Sequence, residues 1–320
     1  MSRLEGDWQR AYDHSDRGLE LSPRDARLLG TRAVLECEMG EIALCEAHLE
    51  LLLETWRLSW TQTFSYAATF PAVVIPVVAR ITGVANRLDT AQEAAEAVLS
   101  SPAMVPLQAL TVRTGLALMA VQRGDIVAAE KQYAALESQR GTMLPGWIAN
   151  VDHLLGLLSQ TMNNPDQAVT HFEDALAFCR NAGYRPELAW TCHDYADVLI
   201  PRSGPGDQAR VLSLLEEALS ISRELGMRPL MERVVALKED TASLPAKLPA
   251  YPDGLSEREV EVLRLIALGR SNQAIAEELV LSLRTVAHHV TSILNKTNSS
   301  NRTEAAAYAS RHRLVSLEED

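Results

Sequence analysis

The sequence predicts an all-α protein, and three observations carry that prediction. Hydrophobic residues make up 47% of the 320-residue chain but aromatics only 5%, so Ala and Leu must fill the core. The strict apolar/polar alternation of half-buried strands is nearly absent, and apolar residues recur at helical spacing instead. Finally, one short phrase repeats along the first three quarters: a Gly or Asn turn, then an apolar residue, an Ala-sized residue and a bulkier one one or two helical turns on.

The phrase appears as Gly6-Asp7-Trp8 with Ala11, Gly40-Glu41-Ile42 with Leu49, and Gly124-Asp125-Ile126 with Ala129 and Tyr133. It recurs as Asn163-Asn164-Pro165 with Ala168 and Phe172, and as Gly206-Asp207 with Leu215 and Ala218. The spacings are 34, 84, 39 and 43 residues, and the 84-residue gap leaves room for a degenerate copy at 88–98. Residues 1–240 are therefore expected to form stacked helix pairs with a concave face suited to a peptide, a protein partner or a small molecule. An irregular helical bundle with coincidental Gly-Asp turns is the alternative. The first copy predicts a helix over 7–21 with no helix pair before it, so Trp8, Ala11, Tyr12 and Leu19 need cover from elsewhere. The most apolar stretch, 70–81, carries Pro71, Pro76 and Arg80 and is too short to span a membrane.

At 241–254 (TASLPAKLPAYPDG) the composition changes. Pro245, Pro249 and Pro252 lack amide donors and push their predecessors out of helix, which marks a linker. Four helices are expected over 255–315, leaving a short acidic tail at 316–320. Ser256 with Glu259 forms a capping box, after which Val260, Leu263, Ile266 and Ala267 line one face, and Gly269 supplies a left-handed stop. Ser271 caps a short second helix with Ile275, Ala276 and Leu279 inward. Ser282 caps a third, 283–296, which buries Val286, Val290, Ile293 and Leu294 and turns Arg284, His288, Thr291, Ser292 and Asn295 outward. Asn301 with Glu304 opens the fourth.

Two short helices joined by a tight turn, the second with small hydrogen-bonding residues outside, suit a DNA major groove. Net charge is −12 overall, but between 254 and 315 eight basic residues (Arg258, Arg264, Arg270, Arg284, Lys296, Arg302, Arg311, Arg313) face six acidic ones (Glu257, Glu259, Glu261, Glu277, Glu278, Glu304), a balance of +2. Any double-stranded DNA contact is expected there.

Residues 255–315 resemble the LuxR/GerE helix-turn-helix family over their full length. The resemblance rests on Leu255, Glu257-Arg258-Glu259, Val262-Leu263, Gly269, Ser271-Asn272, Ile275-Ala276, Leu279, Ser282, Thr285-Val286, His289, Ile293, Lys296, Arg302-Thr303 and Ala305. It implies a DNA-reading pair over 271–290, with phosphates approached by Thr285 and Lys296 and base edges met by Ala287, His288 and Thr291. Ser271, Asn272, Arg284, His289 and Asn295 complete the expected DNA-binding set. Two positions depart from the family: Ala287 stands where Lys is common, and Thr297 where Leu usually follows the late Lys. Residues 1–240 resemble the tetratricopeptide repeat, an arrangement also found in the MalT-like group of regulators. Those regulators carry an ATP-binding domain upstream, whereas no GxxxxGK[ST] and no Gly-Lys dipeptide occurs here.

No cofactor and no enzymatic activity are expected. Cys37, Cys45, Cys179 and Cys192 show no CxxC spacing, so they read as separate buried thiols in a reducing, cytoplasmic setting, with neither a disulfide framework nor a zinc cage signalled. Cys192-His193, and His171 with Cys179, read as structural. The expected function is a transcriptional regulator that binds promoter DNA as a homodimer, its helical repeats receiving a protein or small-molecule effector. The competing reading is an interaction adaptor whose weakened helix-turn-helix serves only packing or dimerisation.

Overall fold

A computed structural model describes residues 2–59, 66–143, 149–204, 206–243, 251–279, 281, 283–312 and 314. The chain divides into two compact units, Met1–Thr241 and Ala242–Asp320. Both are all-α; among the described residues the only β pairing is an isolated bridge between Met143 and Asn150.

The first unit contains α1 (Ser2–Glu5), α2 (Trp8–Leu21), α3 (Ala26–Glu38), α4 (Ile42–Ser59), α5 (Tyr66–Thr82), α6 (Leu88–Leu99) and α7 (Pro106–Arg123). It continues with α8 (Ile126–Leu136), α9 (Val151–Thr161), α10 (Pro165–Ala182), α11 (Arg185–Arg202), α12 (Asp207–Leu225) and α13 (Arg228–Ser243). Every copy of the repeated phrase opens a helix: α2, α4, α8, α10 and α12, with α6 at the degenerate position. The physical cause is the same in each copy. Gly6, Gly40, Gly124, Asn163 and Gly206 all take the left-handed conformation that closes the preceding turn. In three copies the next residue then caps the new helix: Asp7 accepts from Arg10 N, Asp125 from Ala128 N and Asn164 from Gln167 N. Ala129, Ala168 and Ala218 are fully buried, and Phe172 fills the space beside Gly156, where even a Cβ would press on its ring at 3.0 Å.

The apolar stretch with its two prolines is α5, which packs against α3, α4, α6 and α7. Pro76 cannot donate to the carbonyl of Ala72 four residues back. Gly115 of α7 rests on that carbonyl so closely that a Cβ would lie 1.9 Å from the oxygen. The cover that α2 needed comes from the far end of the same unit. Trp8 Nε1 donates to Leu225 O at 2.5 Å. Arg228 Nε donates to Met39 O at 2.7 Å, and its guanidinium also pairs with Glu41. The start of α2 and the α3–α4 turn are thus each tied to the last two helices of the unit.

The cysteine expectation needs correction. Cys37 and Cys45 are joined by a disulfide, with Cα atoms 5.5 Å apart. Cys37 lies in the last turn of α3 and Cys45 in the first turn of α4, and the left-handed turn at Gly40 folds one helix back against the other. Spacing alone did not show this, because the pairing depends on that fold-back. It also removes the inference from cysteine usage to a reducing compartment. Cys179 and Cys192 are free and buried, and burial pushes both thiols up.

The second unit contains α14 (Glu257–Ala267), α15 (Asn272–Glu278), α16 (Leu283–Lys296) and α17 (Arg302–Arg311). Its core is its own: Leu255, Val260, Leu263, Ile266, Ile275, Val286, Ile293, Ala305 and Tyr308 are buried together. The expected punctuation is present at Ser256/Glu259, at Gly269 in the left-handed region, and at Ser271 and Asn301 as caps. Ser282 and the acidic tail lie outside the described residues, as does the middle of the linker, 244–250.

Candidate nucleic-acid interface

The candidate reading helix is α16. Its sequence alternates apolar residues at three- and four-residue steps with small polar ones, so one stripe is buried and the opposite stripe is open. Val286 and Ile293 are fully buried, whereas Ala287, His288, Thr291 and Asn295 are exposed in a row along the other side. The Thr291 hydroxyl donates to Ala287 O at 3.0 Å, which leaves its methyl group and oxygen lone pairs available to a ligand. The rings of His288 and His289 lie 6.4 Å apart, with His288 exposed and His289 half-buried. Thr285 is half-buried. Arg284 is on α16, but its side chain is outside the described residues.

Ser271, Asn272 and Lys296, all in the expected DNA-binding set, hold other parts of the unit. Ser271 Oγ accepts from Ala274 N at 3.2 Å as the N-cap of α15. Asn272 Oδ1 accepts from Arg302 Nη1 at 2.9 Å, tying α15 to α17, and the same guanidinium also reaches Arg270 O. Lys296, expected to approach phosphate, donates to Glu259 Oε2 at 2.7 Å and to Gly254 O at 2.9 Å.

Glu259 is the residue that sequence reasoning undervalued. Its capping role was legible, but its carboxylate also receives Ser256 N at 2.7 Å, Ser292 Oγ at 2.6 Å and the Lys296 ammonium. Ser292, expected on the outer face, therefore turns inward. Burial alone would raise the Glu259 carboxyl, but Lys296 and the Ser256 and Ser292 donors outweigh it and hold the group below the ordinary glutamate value. One buried carboxylate so joins the start of α14 to the end of α16 and fixes the angle at which α16 is presented. The only earlier hint was the i, i+3 capping box; the partner 37 residues on had no local signature.

Arg258 and Arg264 also brace the unit. Arg258 pairs with Glu261 and donates to Leu279 O at 2.8 Å, satisfying a carbonyl at the end of α15. Arg264 Nε donates to Leu314 O at 2.7 Å. Thr297 is buried, yet its hydroxyl donates to Ile293 O at 2.8 Å and meets Ser299 Oγ, so the polar atom at this normally apolar seam is satisfied.

Residues 253–309 match the family model described as bacterial regulatory proteins, luxR family. Over 63 residues the chain is 49% identical to the transcriptional regulatory protein LiaR of Bacillus subtilis (strain 168), covering 20% of this chain and 30% of that protein. Over 61 residues it is 48% identical to the response regulator protein VraR of Staphylococcus aureus (strain NCTC 8325 / PS 47), covering 19% and 29%, and equally to VraR of Staphylococcus saprophyticus. The chain thus spans less than a third of the length of these curated relatives. No solved structure matches the chain. The match and the capped α14–α17 bundle together identify the C-terminal unit as carrying a LuxR-type helix-turn-helix domain.

Proposed function

We propose that this protein is a transcriptional regulator that binds double-stranded DNA through α15 and α16, with the helical-repeat unit, tetratricopeptide-like in its phrasing, receiving an effector. One observation carries the reading: the luxR-family match falls on a bundle whose third helix exposes an unbroken stripe of Ala287, His288, Thr291 and Asn295. A helix lying in the major groove meets base edges through such short side chains, because they let its backbone approach closely. In this reading Arg284 and Thr285 meet phosphates, with Ser271, Asn272 and His289 at the margin of the contact. Lys296 acts mainly by holding α16 in place, reaching phosphate only to the extent that it leaves Glu259. Single half-sites bind weakly, so the working form on DNA is a homodimer at a roughly palindromic site. The role is non-enzymatic and cytoplasmic, and needs no cofactor.

The test is fluorescence anisotropy with promoter fragments from the gene's own neighbourhood. The full chain and residues 250–320 should bind, and residues 1–240 should not. If residues 1–240 shift DNA as well as the full chain, or if the full chain binds none of these fragments, the reading fails.

A further inference from the structure

Four ionisable side chains from three helices meet inside the first unit: Arg80 of α5, His153 of α9, and Glu187 and Asp194 of α11. His153 is 1% exposed, and each of its ring nitrogens faces a carboxylate, Nδ1 at 2.9 Å from Glu187 Oε1 and Nε2 at 2.8 Å from Asp194 Oδ2. Arg80 pairs with the same Asp194 oxygen, and its Nη2 lies 3.3 Å from His153 Nε2. His193 Nδ1 lies 2.8 Å from the other Asp194 oxygen. Glu187 also accepts, at 2.8 Å, from the backbone N–H of Asn150, the N-cap residue of α9.

The neighbours of the ring fix its protonation. A neutral imidazole has one N–H and one lone pair, whereas an imidazolium donates from both nitrogens. At Nδ1 the partners can only accept: Glu187 is a carboxylate, and Thr191 Oγ1, 3.2 Å away, commits its own proton to Glu187 O at 2.7 Å. At Nε2 the nearer partner is again a carboxylate, and the Arg80 donor stands farther off and pairs with that carboxylate. A neutral ring would therefore set a lone pair against a carboxylate oxygen at 2.8 or 2.9 Å. Burial alone would lower the imidazole, but the two carboxylates outweigh it and raise the group above an ordinary histidine. Burial likewise opposes charge on Glu187 and Asp194, yet His153 and Arg80 hold both carboxyls below their ordinary ranges. With His153 charged, the four groups sum to zero; with it neutral, they leave one net negative charge in a place largely shielded from water.

The other elements packed against α9 direct their polar groups elsewhere. Phe172 of α10 sets its ring 5.8 Å from the imidazole. His171 of α10 and Tyr133 of α8 meet each other at 2.8 Å beside Asp152, whose carboxylate accepts from Gly141 N and pairs with Arg140. Arg113 of α7 reaches Gln132 of α8 at 3.5 Å. The network also holds the start of α9. Asn150 caps that helix by accepting from His153 N at 3.1 Å, while its own N–H is held by Glu187. Loss of the ring proton therefore acts where α9 begins, and on the ties that α11 makes to α9 and α5.

We propose that His153 is a pH-operated latch of the first unit: as an imidazolium it clamps α9 to α11 and, through Asp194, to Arg80 of α5, and release of its proton to alkaline solvent opens the clamp. The latch belongs to the first unit and is independent of DNA binding. A ring held protonated in the folded chain adds stability that is complete below about pH 6.5, the ordinary histidine value, and is lost as pH rises through the higher folded value. Between those limits the unfolded chain binds one proton fewer than the folded one, so the unfolding constant should rise about tenfold per pH unit.

All five tryptophans, Trp8, Trp56, Trp60, Trp147 and Trp190, precede residue 241, so urea unfolding of the full chain followed by tryptophan fluorescence reports the first unit. Between about pH 6 and about pH 9, wild type should lose stability with a slope steeper by one proton than that of His153→Gln, whose side chain cannot titrate. Glu187→Gln keeps an acceptor for Asn150 N and should lower the pH at which the ring gives up its proton by about 1–3 units. Nitrogen-15 NMR of the wild-type chain, with the His153 ring recognised by its contact with Phe172, reads the ring directly and needs no variant to fold. At about pH 7.5, one unit above the ordinary histidine value, both ring nitrogens should carry protons. The proposal is overturned if the ring is a neutral tautomer at that pH, if the stability of wild type and His153→Gln falls in parallel, or if Glu187→Gln leaves the ring's titration unchanged.

Discussion

Replacing Lys296 by methionine keeps the apolar stem and removes the ammonium, so it asks whether this residue braces the domain or touches phosphate. Glu259 is 2% exposed and Lys296 21%. Without the ammonium, the buried carboxylate keeps only two neutral donors, the Ser256 amide and the Ser292 hydroxyl. Removing one partner of a buried pair costs about 3–5 kcal/mol. The surviving donors and the partial exposure of Lys296 bring the expected loss to about 2–3 kcal/mol. A domain of roughly 60 residues has about 3–9 kcal/mol in total, so its melting temperature should fall by about 10–20 °C. Glu259→Gln should cost less, about 1–2 kcal/mol, since the stranded ammonium can turn to water. The two changes together should cost less than their sum, because they delete one shared interaction. The sign with pH is fixed by the depressed Glu259 carboxyl. Its stabilisation is fully present above the ordinary glutamate range and is lost as pH falls through the lower folded value, so Lys296→Met should flatten the acid limb of the stability profile. The assay is circular-dichroism melting of residues 251–320 from pH 3 to 7, alongside DNA anisotropy across salt. If the variant melts within about 2 °C of wild type and its salt slope drops by about one, Lys296 is a phosphate contact and the bracing argument is wrong.

His288→Ala and Thr291→Ala should change which operator is preferred while leaving melting nearly untouched, because exposed groove-facing residues carry sequence information and little stability; selection from a randomised operator pool checks this. Gly115→Ala should destabilise the first unit by several kcal/mol or abolish soluble expression, since the new Cβ meets the Ala72 backbone at 1.9 Å and backbone cannot swing aside. Thermal melting reads the effect, and a variant within about 1 °C of wild type would refute it. Reducing the Cys37–Cys45 disulfide, which closes a loop eight residues apart in sequence, should cost about 2–3 kcal/mol. Urea unfolding with and without reductant measures this, and peptide mapping under non-reducing conditions should recover the Cys37–Cys45 link.

Much of the fold was legible because its signals are local. A Gly or Asn in the left-handed region followed by a capping Asp or Asn is an interaction among four or five neighbouring residues, and each such phrase opens a helix where expected. The caps of α14, α15 and α17 are of the same kind. The exposed stripe of α16 follows from periodicity, which needs only the helical repeat and an apolar face. Readings that assigned one role to one side chain were less secure. Ser292 and Lys296 both lie on the third helix as expected, but both are drawn toward a carboxylate on the first.

The sequence by itself determined the helical class, the helix starts and the LuxR-type character of the last segment, since each is encoded in contiguous residues or in a pattern of period 3.6. Tertiary structure alone decided which charges are spent inside the protein. The Trp8–Leu225 hydrogen bond joins residues 217 apart, the Glu38–Trp190 contact joins residues 152 apart, and Lys296 reaches back 37 residues to Glu259. No local rule specifies such partners. A buried carboxylate or indole takes whichever complementary group the packed helices bring within about 3 Å, and that neighbour is chosen by the three-dimensional fold.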